Sequence, residues 1–381
     1  MKRRRKKCDL KMPRKKVEFL FYEFFSWVFR RRDPEVIVIK GALGLLGIVA
    51  FGLLSTFALE TPYFNLDIDF GQLELIGKVI AASLIFVIAV CIVIMWRRYN
   101  ADERARSKRR VYVIEGRGLR DDDGENLSAI AETIDSGVQV PILLDLRQKV
   151  DETIVSPEHV LPRISIMKES LNQQRNAVGP ENTKVIYGGL TPVPFTFMTG
   201  VELDDEGEIE VVDWDRFAET WRRLDEDDDG ETFQVEGLEN TQGAKKVLLA
   251  VSVSFAITDI NLDSTFAMPV VRLTLGSLSS TGHWSKNKQA RLSLAFFETV
   301  KHLGNQGVEE IHLVLAAPNS VSFNFGRRYD RRNLPKFFIY QFEHSMPVKY
   351  PWSVFSGSHG TNGQISHTRL GDDGFVEGSS E

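Results

Sequence analysis

Two stretches without a single charged residue constrain this chain more than anything else in it. The first runs from Gly41 to Leu59 and the second from Val79 to Trp96. At ~1.5 Å per helical residue the first reaches ~28 Å, close to the ~30 Å hydrocarbon core of a bilayer. The second is long enough once its flanks are counted, so two membrane-spanning helices are expected. Lys40 and Lys78 stand at span ends, where flexible stems carry an ammonium to the headgroups. The connector from Glu60 to Glu74 holds Glu60, Asp67, Asp69 and Glu74 but no Lys or Arg, whereas Lys2 to Arg32 and Arg97 to Arg110 are strongly basic. Positive charge stays on the cytoplasmic side, so the tail and everything after Arg97 are expected there, with a short acidic hairpin outside. A cleaved signal peptide fits poorly: the basic region and the apolar core are too long, and TFALE is a poor cleavage site. The aromatic segment VEFLFYEFFSWVF (17–29) reads as a helix lying in the interface. Gly41, Gly44, Gly47 and Gly52 crowd the first span, and small residues of this kind serve oligomerisation or packing against the second span equally well.

Charge is unevenly placed. Residues 1–110 carry 22 Lys and Arg against 11 Asp and Glu, a surplus of +11 that leaves −16 for the rest of a chain whose net charge is −5. A basic segment beside apolar helices suits an anionic leaflet, and an acidic body repels bulk nucleic acid, which excludes general DNA or RNA binding. The two cysteines, Cys8 and Cys91, offer neither a disulfide framework nor a thiolate metal cluster, as suits a reducing compartment.

Beyond the basic stretch a soluble α/β region begins near Val111. Strand candidates are Val111 to Ile114, PILLDL (141–146), KVIYG (184–188), EIEVV (208–212), KVLLAVSVSF (246–255), PVVRLTL (269–275), IHLVLAA (311–317) and KFFIYQF (336–342). Helical spacing appears in LPRISIMKESLNQQ (161–174) and in RLSLAFFETVKHL (291–303), which ends at Gly304. Strands alternating with helices predict α/β architecture. A shift of 128 residues aligns 163–197 with 291–325 without a gap, matching Arg163 with Arg291, Gly179 with Gly307, Phe195 with Phe323 and Phe197 with Phe325. This predicts duplication of one α/β unit.

In each copy an apolar strand runs into small residues and a polar turn that opens a helix: Gly188-Gly189-Leu190-Thr191-Pro192 and Ala316-Ala317-Pro318-Asn319-Ser320. Ligands of open α/β sheets collect beyond the carboxyl ends of strands, and free amides at a helix start attract anions. Two such cradles suit two phosphates of one pseudo-symmetric ligand, although each turn alone is also ordinary structural chemistry. Ahead of the second-half helix lie His283, Trp284, Ser285 and Lys286, a combination of aromatic and cation that suits base stacking and phosphate pairing, or simply a packed Trp at a soluble helix entry. GRRYDRR (326–332) is a candidate phosphate or inter-subunit patch, or a set of surface charges balancing nearby carboxylates. DEDDDGETFQVE (225–236) has the spacing of an EF-hand loop, but Thr232 replaces the usual apolar residue and Gly237 argues against an exiting helix, so an acidic linker between halves is expected. No Walker sequence, nucleophile elbow, zinc-protease helix or paired-cysteine motif is present, and no catalytic residue or metal ligand is expected.

The segment 311–352, with Ala317-Pro318, Gly326-Arg327 and Tyr340, resembles the C-terminal half of SAVED domains, and KVIYGGLTPVPFTFMTG (184–200) looks like the matching part of the first half. With two spans in front, the arrangement resembles the transmembrane-SAVED effectors of bacterial CBASS antiphage defence. The resemblance implies an α/β fold in which two N-terminal transmembrane helices precede a SAVED domain built from two fused CARF-like, Rossmann-like halves. The expected domains are a basic cytoplasmic tail with an interfacial helix (1–35), transmembrane helix one (36–59), an acidic periplasmic hairpin (60–74), transmembrane helix two (75–98), a basic juxtamembrane connector and domain entry (99–134), the SAVED sensor (135–355, halves about 135–235 and 243–355) and a disordered tail (356–381). It further implies a cyclic di- or trinucleotide as activating ligand with no resident cofactor, a partner synthase that makes that ligand, self-association, and disruption of the inner membrane in abortive infection. The candidate ligand contacts are Gly188, Gly189, Leu190, Thr191, His283, Trp284, Ser285, Lys286, Pro318, Asn319, Ser320 and Arg327. The competing reading is a membrane-tethered nuclease or ring nuclease acting on the oligonucleotide through Lys286 or His283.

Overall fold

The computed structural model describes residues 34–54, 59–61, 64–66, 73–119, 126–150, 153–154, 156–204, 207–263, 265–357 and 363–368. Met1–Arg106 and Ser107–Glu381 form two compact units. In the first, runs rich in Leu, Ile, Val and Ala give helix α1 (Pro34–Leu54) and helix α2 (Leu73–Lys108), joined through the short hairpin β1 (Leu59–Thr61) and β2 (Phe64–Leu66). The 21 residues of α1 reach ~31 Å. Among the described residues, the stretch Gly77–Lys108 of α2 is long and apolar enough to cross a membrane by itself, and Ile37–Gly47 of α1 is a shorter apolar stretch. Val79, Ile85, Phe86 and Val93 are exposed along α2, a face that lipid satisfies and water does not. The basic tail and the aromatic segment 17–29 lie outside the described residues.

The second unit repeats one topology twice. Its first half contains β3 (Arg110–Arg117), α3 (Leu127–Ile134), β4 (Val138–Asp145), the hairpin β5 (Lys149–Val150) and β6 (Thr153–Ile154), α4 (Pro157–Val160), α5 (Pro162–Val178), β7 (Thr183–Leu190), α6 (Val193–Glu202), β8 (Ile209–Asp215) and β9 (Thr220–Arg223). The second contains β10 (Phe233–Glu236), β11 (Lys246–Ser252), α7 (Asp259–Asp263), β12 (Val270–Leu275), α8 (Lys286–Asn305), β13 (Glu310–Ala316), α9 (Asn319–Arg328), β14 (Lys336–Gln341), β15 (Trp352–Phe355) and β16 (Gln364–His367). The parallel strands lie in the order β4-β3-β7-β8 in one sheet and β12-β11-β13-β14 in the other, so each sheet places its second strand outside its first and its third and fourth on the far side. Antiparallel additions differ: β9 extends one sheet, while β10, β15 and β16 extend the other. The duplication expected from the 128-residue offset is present as two copies of one strand order.

Three boundaries differ from the sequence expectation. The sensor bound of 135 leaves out β3, itself expected as a strand near Val111, although β3 bonds both β4 and β7. Residues 233–236 pair with β12, which places them with the second half rather than the first. Within the expected tail, 364–367 form the edge strand β16 on β15, with Ile365 against Val354, so pairing orders a segment whose composition is polar. Residues 358–362 and 369–381 of that tail lie outside the described residues.

Local chemistry sets the helices. Ser285 caps α8 by accepting the Lys288 amide, and Leu292, Phe296, Val300 and Leu303 recur at helical spacing on the buried face. Past its end, Gly307 takes φ +92°, a conformation that favours glycine. One apolar core serves both halves: Tyr187 stacks on Phe323 at 3.9 Å between ring centroids, and Phe296 on Phe325 at 4.6 Å. At the centre α6 and α9 cross through Gly200 and Gly326. A Cβ on Gly200 would collide with the Phe323 carbonyl oxygen, and one on Gly326 with the Phe197 carbonyl oxygen.

Candidate ligand cleft between the two halves

Because the helix crossing joins the halves back to back, the carboxyl ends of both parallel sheets open toward one cleft of about 400 Å³. Its walls come from the loops after β7 and β8 in one half and after β11, β13 and β14 in the other, with His283 and Trp284 completing one side. That is where ligands of open α/β sheets are held. Apolar groups dominate the floor, including Val314, Tyr340 and Tyr350. Around the mouth, Phe217 is 82% exposed, Phe255 62% and Phe342 43%. Asp213, Asp215, Arg216 and His283 are the ionisable side chains of the lining other than its tyrosines, so the cleft is not basic.

The two helix starts at the base of the cleft are closed by side chains from the opposite half. Asn319 Oδ1 accepts from the Thr196 hydroxyl at 2.9 Å and, more distantly, from the Thr191 amide at 3.5 Å. Reciprocally, Asp213 Oδ2 accepts the Ser320 amide at 2.9 Å, while its Oδ1 accepts the Trp214 amide at 2.8 Å. His283 Nε2 stands 3.3 Å from Asp213 Oδ2. That separation allows electrostatic attraction, but neither ring nitrogen makes an aligned hydrogen bond among the described residues.

The candidate residues separate into three groups. Leu190, His283, Trp284, Pro318 and Asn319 line the cleft. Gly188, Gly189, Thr191, Ser285 and Ser320 are buried behind it. A Cβ on Gly188 would press on Leu127, Val212 and Trp221, and one on Gly189 on the Tyr187 hydroxyl, so these glycines make room for protein. Thr191 shares a 2.6 Å hydrogen bond with Thr196, and Ser320 Oγ accepts from Gln289. Lys286 and Arg327 lie elsewhere, in a second groove of about 400 Å³. There Lys286 pairs with Glu208 at 3.0 Å, and the Arg327 guanidinium donates to the carbonyl oxygens of Leu203 and Gly207, tying the halves together. The expected stacking on Trp284 meets an occupied ring: His283 lies 4.3 Å from it, the Arg222 guanidinium 4.7 Å over it, and the residue is buried. Sequence reasoning missed Asp213 and the three rim phenylalanines. Their one signal is position, each just beyond or at the end of an apolar strand.

Part of the acidic linker is paired with cations of α8. Asp228 pairs with Arg291, and Lys288 Nζ lies 2.5 Å from Asp229 and 2.8 Å from Glu231. The Arg291 hydrogen bond holds Asp228 below the usual carboxylate range, and Lys288 does the same for Asp229. A backbone bridge between Asp225 and Ser285 pins the same segment beside His283 and Trp284. Among the described residues no group of His, Cys, Asp and Glu side chains is placed to hold a metal ion.

Comparison with known proteins divides the chain near the start of α5, inside the α/β unit and not at Ser107. Residues 14–161 match the SAVED-fused 2TM effector domain, and residues 167–355 match SAVED, the SMODS-associated sensor domain fused to various effectors. Among solved structures, the Acinetobacter baumannii Cap4 SAVED/CARF-domain containing receptor with the cyclic trinucleotide 2'3'3'-cAAA aligns at 12% identity and TM-score 0.45 over 75% of this chain and 61% of that one. The same receptor with 3'3'3'-cAAA gives 12%, 0.44, 75% and 61%, and the Moraxella osloensis Cap4 receptor 12%, 0.40, 86% and 76%. The chain thus spans 61% of the length of the first of these receptors. No curated protein matches. With one family over 14–161 and the other over 167–355, the chain belongs to the SAVED-fused two-transmembrane effectors, a membrane effector domain joined to a SAVED sensor domain.

Proposed function

We propose that this chain is a membrane effector of CBASS antiphage defence, switched on when a cyclic oligonucleotide enters the cleft between the two SAVED halves. The observation that carries the reading is the cleft itself, a pocket in the size range of small-molecule sites at the carboxyl ends of two repeated sheets, on the same chain as a two-span domain. The exposed phenylalanines around its mouth form an apolar patch suited to association. A ligand drives assembly only if it binds the assembled state more tightly than the monomer, and a ligand touching that rim meets this condition. Gathering the helices then breaches the inner membrane. The N-terminus and the sensor face the cytoplasm in this reading, as the basic flanks require.

No covalent step is needed. The test uses the full chain in dye-loaded liposomes and in detergent, with 3'3'3'-cAAA as probe. Larger particles and dye release on addition of the nucleotide are the expected result. A nucleotide that raises the unfolding temperature but changes neither size nor leakage sinks the effector mechanism. Shortened nucleotide on chromatography after long incubation would instead favour a ring nuclease.

A further inference from the structure

The two ends of the cleft are chemically unequal. At the start of α6 the group supplied by the opposite half is the neutral amide oxygen of Asn319; at the start of α9 it is the carboxylate of Asp213. A helix N-terminus attracts an anion, and here the protein supplies its own. A phosphate brought to the Ser320 amide would meet that carboxylate at contact distance, where like charges in a partly dry wall repel strongly.

Beside it, His283 is 5% exposed, lines the cleft, and leaves both ring nitrogens without an aligned hydrogen bond. Buried polar groups in native proteins are nearly always satisfied, so an orphaned imidazole in a pocket wall calls for a partner from outside the chain. The Asp213 carboxylate 3.3 Å from Nε2 favours the hydrogen on that nitrogen, leaving Nδ1 as an acceptor. We infer that the Asp213–His283 pair bars phosphate from the α9 end of the cleft and reads an exocyclic amino group of the ligand's nucleobase there, with His283 Nδ1 accepting the N–H. The phosphates then lie toward the α6 end.

This rests on the oligonucleotide reading above, and the experiment separates the two. The full chain in detergent is titrated by calorimetry with 3'3'3'-cAAA and with its purine-riboside counterpart lacking the three amino groups. The proteins are wild type, His283→Phe, His283→Gln and Asp213→Asn. His283→Phe is expected to weaken cAAA about 10- to 100-fold while leaving the amino-free ligand within about twofold. His283→Gln keeps an acceptor and loses less. Asp213→Asn weakens cAAA because the carboxylate that draws the hydrogen to Nε2 is gone.

Equal losses on both ligands, or no loss on either, overturn the inference while leaving the oligonucleotide reading intact. So does tighter binding by Asp213→Asn, which would mean that the carboxylate competes with a ligand phosphate for the Ser320 amide. If wild type binds neither nucleotide, both readings fall together. Unfolding temperatures of the unliganded variants are measured alongside, and His283→Gln carries the comparison if His283→Phe does not fold.

Discussion

His312, on β13, lies flat against Phe338 with ring centroids 5.0 Å apart, and its Nδ1 shares a 2.8 Å hydrogen bond with the Tyr340 hydroxyl. Burial pushes its pKa from 6.5 down to about 4. The unfolded chain therefore takes up this proton first, so the stability contributed is full above about pH 6.5 and is lost as pH falls toward 4. The loss from this one group is on the order of 3 kcal/mol, and His312→Phe is expected to flatten the acid limb of a thermal-stability curve measured between those limits. Lys288 illustrates the opposite case. Burial alone would lower its pKa, but hydrogen bonds to Asp229 and Glu231 outweigh it and raise it. Its side chain is 5% exposed while that of Asp229 is 52% exposed, so the pair is screened on one side. Lys288→Met is expected to cost about 1–2 kcal/mol, read as a lower unfolding temperature. Neither residue's role was legible in the sequence, because a histidine in a strand and a lysine at a helix start carry no mark of what lies across the fold.

The helix crossing is the element on which the two halves depend. At Gly200 and Gly326 the obstacles to a side chain are backbone carbonyl oxygens, which cannot swing aside as a flexible side chain can. Gly326→Ala is expected to cost about 3 kcal/mol or more, checked by denaturant unfolding of the 107–381 fragment. Strands tell a complementary story. A fragment starting at Ser107 is expected to fold and to give a cooperative melt by circular dichroism, whereas one starting at 135 lacks β3, the strand between β4 and β7, and is expected not to. The eight parallel strands and helices α5 and α8 were readable from apolar runs and helical spacing, and the repeat from its offset, whereas the antiparallel strands β9, β10 and β15 were not. The sensor bound of 135 left β3 in the domain entry because the stretch between β3 and α3, rich in Gly and Asp, reads as a linker, although β3 lies inside a sheet between β4 and β7. For the same reason β16 was missed: pairing with β15 is a long-range event that a polar composition does not announce.

At the scale of the whole molecule, a membrane domain and a two-fold repeated sensor share one chain. If the apolar rim of the cleft mediates association, Phe217→Ser combined with Phe342→Ser is expected to abolish nucleotide-driven growth in particle size by light scattering, with little change in the unliganded unfolding temperature because both side chains are substantially exposed. The two apolar runs, the alternation of strands and helices, and the offset repeat were legible in the sequence alone. Each depends on the composition of contiguous residues, and hydrophobic periodicity acts locally. Which side chains face the cleft was decided only by tertiary structure. Gly188 and Leu190 share one face of their strand, yet Gly188 is packed against Leu127, Val212 and Trp221 while Leu190, at the strand's end, reaches the pocket. Asp213 meets the Ser320 amide across 107 positions of chain, a contact set by the way the two halves cross.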